Sequence, residues 1–426
     1  MRFLPGYLKD STVLLRLAAL SCGIIMVGLF TVNFFRVLTS IGIVALFIVA
    51  LFYRLTCSAT YRSKFSAVYY SLLGVFGLVL LSGLQTQVGN AAEFWRGVTL
   101  QLPFLVLPLA FLWLPGLPGR YLVRLNVFFI TLVTLSALGS AGYYLSHFVE
   151  INQRYLESQI MPTAPDHIRF SLMVTYAVAA ATVLVGRKVV DGPWRRYLLV
   201  IIAFLVLYQH MLAVRSGLLT LYALAGVAIG WLLLWRRNVR LAGLIASLML
   251  LTPMVSYGVF PTFRNKFLNT QDDVGRVRQS TSANNYSLVG RFYSYKVALE
   301  IFEEHPVLGV GRANMKPAIA QQYRQQFPSI SEEAYILPHN QFLYYLVAYG
   351  GLGVLLFTLF FYFPGIRIWP HYSPLLLAQY LIITLSFLVE YTLEAQVGLT
   401  FALLFILLAL NGQEMPVEPE QQWRPR

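Results

Sequence analysis

Charge is what this chain has least of. Only 12% of its 426 residues are Asp, Glu, Lys or Arg, against roughly 25% in a soluble domain. A free-standing domain with an ordinary solvated surface is therefore excluded. Acids are scarcer still, 18 against 32 basic residues. Cysteine is nearly missing, and Cys22 and Cys57 both lie in or near apolar runs, so a disulfide framework or a cysteine-based metal site is not expected. Strictly alternating segments of about ten residues, the mark of a membrane β-barrel, are absent as well. In their place stands hydrocarbon. The chain is 58% hydrophobic, in runs of about 17–25 residues, each long enough to cross a roughly 30 Å apolar core. It reads as an all-α polytopic membrane protein.

Twelve spans are expected, at roughly 13–32, 37–53, 66–84, 97–115, 121–146, 168–186, 197–213, 217–235, 240–258, 339–362, 373–390 and 396–411. The first is followed at once by another and reads as a retained helix, not a cleaved signal. The organisation expected is nine spans in 1–258, a long polar segment in 259–338, three spans in 339–411 and a polar, disordered tail in 412–426. No internal repeat supports an inverted-repeat transporter.

The net charge of +14 invites nucleic acid as a partner, but the positive-inside rule accounts for it without one. With the N-terminus inside, the short outer loops hold only Arg36, Arg96, Arg154, Arg169 and Arg215. Most of the remaining Lys and Arg outside the polar segment then face the cytoplasm, as do both termini. Arg169, Arg215, His339, Glu390, Glu394 and the long segment all fall on the outer side. Charges at membrane depth usually face a wet cavity or the bundle interior, and several on one face point to one site. A basic excess also suits membrane lipids or phosphate-bearing substrates.

Within the polar segment, 269–286 is rich in Asn, Gln, Ser, Thr and Asp and reads as a mobile loop. From the candidate cap Ser287 the pattern changes. Phe292, Tyr295, Leu299 and Phe302 recur at helical spacing, which predicts an amphipathic helix over about 288–304, stopped by His305-Pro306. Its apolar face is expected on the bundle or at the membrane interface. Arg291 in its first turns opposes the helix dipole. It is either an exposed or paired arginine, or one that receives an anion together with the free N–H groups. Gly309 and Gly311 precede Arg312 with no Gly-Lys-Ser/Thr, so a turn needing positive φ is favoured over a phosphate loop. Pro338-His339-Asn340 opens a long apolar span. A histidine there meets the positive end of a helix dipole, which favours a neutral imidazole able to accept a proton, or it simply hydrogen-bonds at the interface. Arg215 sits between two spans with almost no loop around it, placed either to snorkel or to meet a lipid-linked phosphate. Asp272 and Asp273 are adjacent acids without a second carboxylate or histidine cluster, so no metal or other cofactor is expected.

Leu288-Val289-Gly290-Arg291, His305 to Gly311, Pro338-His339-Asn340-Gln341 and Tyr349-Gly350-Gly351-Leu352-Gly353, with Arg215-Ser216-Gly217 ahead of a span, resemble the O-antigen ligase and polymerase family. The layout, one large outer loop before the third-last helix, also resembles the ligases. The resemblance implies a metal-independent, GT-C-like glycosyltransferase of the bacterial inner membrane, working at the periplasmic face. Its donor would be O-antigen linked to undecaprenyl diphosphate and its acceptor lipid A-core. Arg215 and Arg291 would hold the diphosphate, and His339 would deprotonate the acceptor. Glu390 or Glu394 would match an acid the family often places before its last helix, with Arg169 and Asn340 in support. One departure is Val214, where the family usually has Ser or Thr before the arginine. The absence of an Asp-x-Asp motif suits a lipid-linked donor. An O-antigen polymerase sharing that donor is the nearest alternative. A protein oligosaccharyltransferase would carry a larger domain after the last span, and a flippase would spread its charges midway along both halves.

Overall fold

In the computed structural model, residues 10–57, 63, 66–157, 159–277, 287–368 and 373–413 are described. The expected tail, from 414, and positions 278–286 of the expected mobile loop lie outside them. No strand occurs among the described residues. The helices run α1 Ser11–Phe30, α2 Val37–Thr56, α3 Ser66–Leu81, α4 Ala91–Gln101, α5 Pro103–Trp113, α6 Gly119–Ser146, α7 Phe148–Leu156, α8 His167–Gly186, α9 Pro193–Leu212, α10 Arg215–Leu234, α11 Val239–Val259, α12 Pro261–Val277, α13 Ser287–Glu304, α14 Met315–Gln326, α15 Gln341–Ile368, α16 Pro374–Phe387 and α17 Gln396–Asn411.

Ten of these segments are long and apolar enough to cross a membrane, α4 and α5 together forming one of them. The proline at position 103 starts α5 immediately after Leu102 ends α4. α16 and α17 are apolar but shorter, 14 and 16 residues. α17 is the centre of the bundle: every residue except Gln396 and Ala409 is buried. Such a helix has no polar face because its neighbours surround it.

The polar segment is not loop from end to end. Its 269–277 part continues α12, so the expectation of a mobile loop fails there. The Asn and Thr side chains that argue for a loop are spent on neighbours. Thr262 Oγ1 donates to Met211 O at 2.6 Å, Asn265 Nδ2 to Asn152 O at 3.0 Å, and Asn269 Nδ2 to Tyr155 O. These bonds dock α12 on α7 and on the end of α9. Polar groups that otherwise compete with the helix backbone hold it in place here.

α13 stops where His305-Pro306 follows, but its buried face differs from the expected one. Val289, Ser294, Val297, Ala298 and Ile301 are buried, while Phe292 and Leu299 are exposed. Small residues face inward where α12, α14 and α15 pack against the helix. On the outer face the Lys296 ammonium lies 4.7 Å from the Phe292 ring centre.

α15 is broken at Gly350, whose φ of 66° and ψ of −171° interrupt the helix. The turn from Pro306 to Gly311 fills the break. Val310 and Gly311 donate to Val347 O and Ala348 O at 2.9 and 3.0 Å, and Gly351 and Leu352 donate to Pro306 O and Val307 O at 2.8 and 3.2 Å. Each backbone group freed by the break finds a partner, as buried backbone must. Gly309 and Gly311 have φ of 66° and 83°, so this is the positive-φ turn the two glycines imply. A side chain on Gly350 would meet Val307 O at 2.3 Å. Gly350→Ala is expected to lower stability by about 1–3 kcal/mol from backbone strain alone, with the clash adding to it. Thermal unfolding of the detergent-solubilised variant measures this.

Candidate functional site

The ends of α8, α9, α10, α15, α16 and α17 gather at one end of the bundle, where α12 and α13 pack across them. His339 stands here, in the approach to α15. The helix itself begins two residues later than the sequence pattern implies. Asn340 caps it, its Oδ1 accepting from Phe342 N and Leu343 N at 2.9 and 3.1 Å. Asn340 Nδ2 reaches Leu388 O at 3.3 Å. Asn340 therefore fixes the backbone on which His339 rides, and joins it to the turn between α16 and α17.

That turn brings Glu390. Its Oε2 lies 3.2 Å from His339 Nδ1. The carboxylate is 4% exposed and the imidazole 24%, so the acid is buried and the ring keeps an open edge. Burial alone would push the Glu390 carboxyl up. The hydrogen bond and charge of His339, with the charges of Arg169 and Arg291, outweigh burial and hold it below the usual carboxylate range. An ionised carboxylate has no proton to give, so Nδ1–H is the donor of this contact and Nε2 is the ring nitrogen left out of it. The Tyr391 ring lies 5.0 Å from the His339 ring, and Tyr295 Oη donates to His339 O at 2.8 Å. The histidine is thus held by its ring, its Nδ1 and its own backbone.

Cations surround the pair. Arg291 lies in the second turn of α13 and Arg169 in the first turn of α8, and the charges of both act on Glu390. Arg169 Nη1 pairs with Asp166 at 3.1 Å, while its Nε is buried with no hydrogen-bond partner among the described residues. Arg215 is the first residue of α10, after a left-handed Ala213 and an extended Val214. Its Nε and Nη2 donate to Thr270 Oγ1 at 3.2 and 2.8 Å. The hydroxyl that Val214 cannot supply therefore comes from α12.

Glu394 does not join His339. Its Oε2 accepts from Arg312 Nη2 and Nε at 2.7 and 3.2 Å, in a pair only 3% and 9% exposed. Burial opposes the Arg312 charge, but the carboxylate of Glu394 more than offsets this and raises its pKa. Gln101 Nε2 donates to Glu394 Oε1 and to Leu393 O at 3.2 and 2.9 Å, and Leu393 N donates to Gln341 Oε1 at 2.9 Å. These bonds fasten the turn that carries Glu390 to α4, α15 and the glycine turn.

Of the residues singled out in the sequence, His339, Glu390, Asn340, Arg169 and Arg291 form one constellation. Arg215, on α10, is held by Thr270 of α12. Glu394 belongs to the support beneath. Tyr295, Tyr391, Thr270 and Arg312 were not singled out for the site. Position carries a signal for two of them, since Tyr391 follows a membrane-edge acid and Arg312 follows two glycines. Among the described residues no three His, Cys, Asp or Glu side chains converge as metal ligands would. The side chains of Asp272 and Asp273 lie outside the described set.

A family described as O-Antigen ligase matches residues 197–358. The matched stretch runs from α9 to α15 and includes Arg215, Arg291 and His339. Glu390 and Arg169 lie outside it. No curated protein matches the chain.

Removing one partner of a buried ion pair strands the other charge, so Arg312→Ala or Glu394→Ala is expected to cost about 3–5 kcal/mol. The double variant Arg312→Met with Glu394→Leu should recover most of that loss in thermal unfolding. Glu390 gives a pH signature. Its folded pKa lies below the unfolded value of 4.5, so the pair stabilises above that pH and the effect fades as pH falls through the folded value. The gap in thermal midpoint between wild type and Glu390→Gln should therefore be widest near neutrality and shrink below pH 4.5.

Proposed function

We propose the ligase reaction, on the strength of the match of residues 197–358 to a family described as O-Antigen ligase, whose activities on lipid-linked polysaccharide are of ligase and polymerase type. The protein transfers O-antigen polysaccharide from undecaprenyl diphosphate to a sugar hydroxyl of lipid A-core. It does so at the periplasmic face of the inner membrane, with twelve spans, both termini in the cytoplasm and the 259–338 segment outside.

The observation that carries this reading is the His339–Glu390 pair held among arginines. His339 Nε2 takes the proton of the acceptor hydroxyl. The resulting oxygen attacks the anomeric carbon of the donor, and the bond from that carbon to the phosphate oxygen breaks. The electron pair leaves with the lipid diphosphate, whose charge Arg215 and Arg291 stabilise. Glu390 stabilises the imidazolium that forms and keeps Nε2 as the basic nitrogen. Arg169 adds positive charge beside the leaving group, and Asn340 positions the base. In this scheme the arginines perform the charge neutralisation that a divalent cation performs elsewhere.

His339→Ala is expected to lower transfer by about 10²–10⁴-fold, the usual worth of general base catalysis, and to leave thermal unfolding close to wild type. Arg291→Ala and Arg215→Ala should lower it by about 10²–10³-fold. Purified protein in vesicles, given lipid-linked polymer and lipid A-core, supplies the assay. Full transfer by the His339 variant would remove the base assignment, and a loss of transfer on adding EDTA would remove the metal-independent scheme. Glycans of a deletion strain separate the two family activities. Bare core with polymer still on its lipid carrier marks a ligase, and core bearing a single repeat unit marks a polymerase.

A further inference from the structure

The end of the bundle away from the candidate site carries charge of its own. Phe30, which ends α1, has its ring 6.4 Å from that of Phe170 in the first turn of α8, at the site end. Leu117, just ahead of α6, donates its N–H to Asn411 Oδ1 at 2.7 Å, at the far end of α17. The beginnings of α1 and α6, and with the latter Arg120 and Arg124, therefore lie at the opposite end. Both helices are long and apolar enough to cross a membrane, so the two arginines stand where a span meets lipid headgroups.

Between α1 and α6 runs a groove of about 430 Å³, walled by Leu20, Gly23 and Ile24 of α1, Leu38 of α2, and Leu125 and Phe128 of α6. Leu20 and Phe128 are exposed, so the groove opens on the side of the bundle. A Cβ built on Gly23 would meet Phe128 Cε1 at 3.8 Å and nothing nearer, which leaves room along the groove at that residue. Among the described residues that wall it, Arg124 is the one that carries charge. Tyr121 lines the same end, and its ring lies 5.1 Å from the Arg120 guanidinium.

Arg120 and Arg124 are exposed and one turn apart on the same face of α6. Apart from the Tyr121 ring, neither side chain has an ion-pair or hydrogen-bond partner among the described residues. A single snorkelling arginine needs only to reach the interface. Two like charges at i and i+4 also repel each other, and an anion between them removes that repulsion. A molecule with a negative headgroup on an apolar chain satisfies the arginines and the groove together. No acid walls the groove to receive an ammonium, so a net-negative headgroup fits it better than a zwitterionic one.

We propose that the groove between α1 and α6 is a binding site for an anionic glycerophospholipid of the leaflet opposite the candidate site. One acyl chain lies along Gly23, and Arg124 and Arg120 receive the phosphate. In the expected topology that leaflet is the cytoplasmic one. The site is separate from the transfer reaction, and its test does not depend on that reaction.

The test titrates the purified full chain in detergent with phosphatidylglycerol or phosphatidylcholine and follows the thermal midpoint. A lipid that binds only the folded state raises it, and phosphatidylglycerol should raise it more than phosphatidylcholine. An arginine beside an anionic headgroup is worth about a fivefold change in affinity. Arg124→Gln should therefore weaken the apparent affinity by about fivefold, and the double variant Arg120→Gln with Arg124→Gln by about 25-fold. Arg124→Lys should stay close to wild type. Gly23→Leu, which fills the groove and leaves both arginines in place, should lose the phosphatidylglycerol shift; if it does not fold, Leu20→Phe takes its place. Equal shifts from the two lipids, or unchanged affinity in the double arginine variant, would overturn the headgroup assignment. A full shift from inorganic phosphate alone, or from phosphatidylglycerol in the filled variant, would overturn the groove as the site. A dimer in light scattering that Gly23→Leu dissociates, with no response of wild type to either lipid, would give the groove to a second copy of the chain and overturn the proposal.

Discussion

The buried pair between Arg312 and Glu394 is the interaction on which the candidate site depends. It ties the turn after α13 to the turn between α16 and α17. The first of these turns is itself seated in the break of α15 through four backbone hydrogen bonds. Three chain segments far apart in sequence are thereby fixed against one another. Glu390 lies four residues before Glu394 in one of them, and His339 leads into another. The 3.2 Å contact between these two is a consequence of that framework. An ion pair so deep gains little net stability over an apolar substitute, but it tolerates only one arrangement of its partners. At a site that must aim one imidazole nitrogen, that restriction is what matters.

The same low dielectric accounts for the chemistry. In a chain with 18 acidic residues, two acids near one end of the bundle have distinct partners and distinct roles. Glu394 neutralises an arginine and makes no approach to the histidine. Glu390 neutralises nothing completely: it meets one face of His339 while Arg169 and Arg291 act on it from farther away. In the proposed reaction a leaving group with two phosphates would develop negative charge beside these arginines, and prearranged cations need little reorganisation to receive it.

Much of this architecture is legible in the sequence because its code is coarse. Hydrocarbon thickness sets run length, so the apolar runs expected at roughly 13–32 and 339–362 declare themselves without any knowledge of packing. Positive-φ turns are equally plain, since Gly309 and Gly311 admit conformations that other residues resist. Tertiary choices are not legible. The pattern of Phe292, Leu299 and Phe302 marks an apolar stripe on α13, yet Val289, Val297, Ala298 and Ile301 are buried, because the neighbouring helices approach closely enough to favour small side chains. Which of Glu390 and Glu394 reaches His339 depends on Arg312, which lies far from both in the chain. The helical state of 269–277 depends on carbonyls of α7 and α9 that accept from Thr262, Asn265 and Asn269.

The case of α12 shows what composition misreads. Asn and Thr are poor helix formers because their side chains hydrogen-bond to nearby backbone in other conformations. In α12 the same capacity is directed outward, to backbone groups of other helices, and becomes tertiary adhesion. One consequence follows for the site. The Thr270 hydroxyl has a single proton, given to Lys266 O, so its lone pairs are free to accept from Arg215. The guanidinium is then held along one edge by a neutral acceptor. A hydroxyl on α12, the helix whose Asn and Thr side chains also dock it on α7 and α9, is therefore what orders Arg215 along this edge.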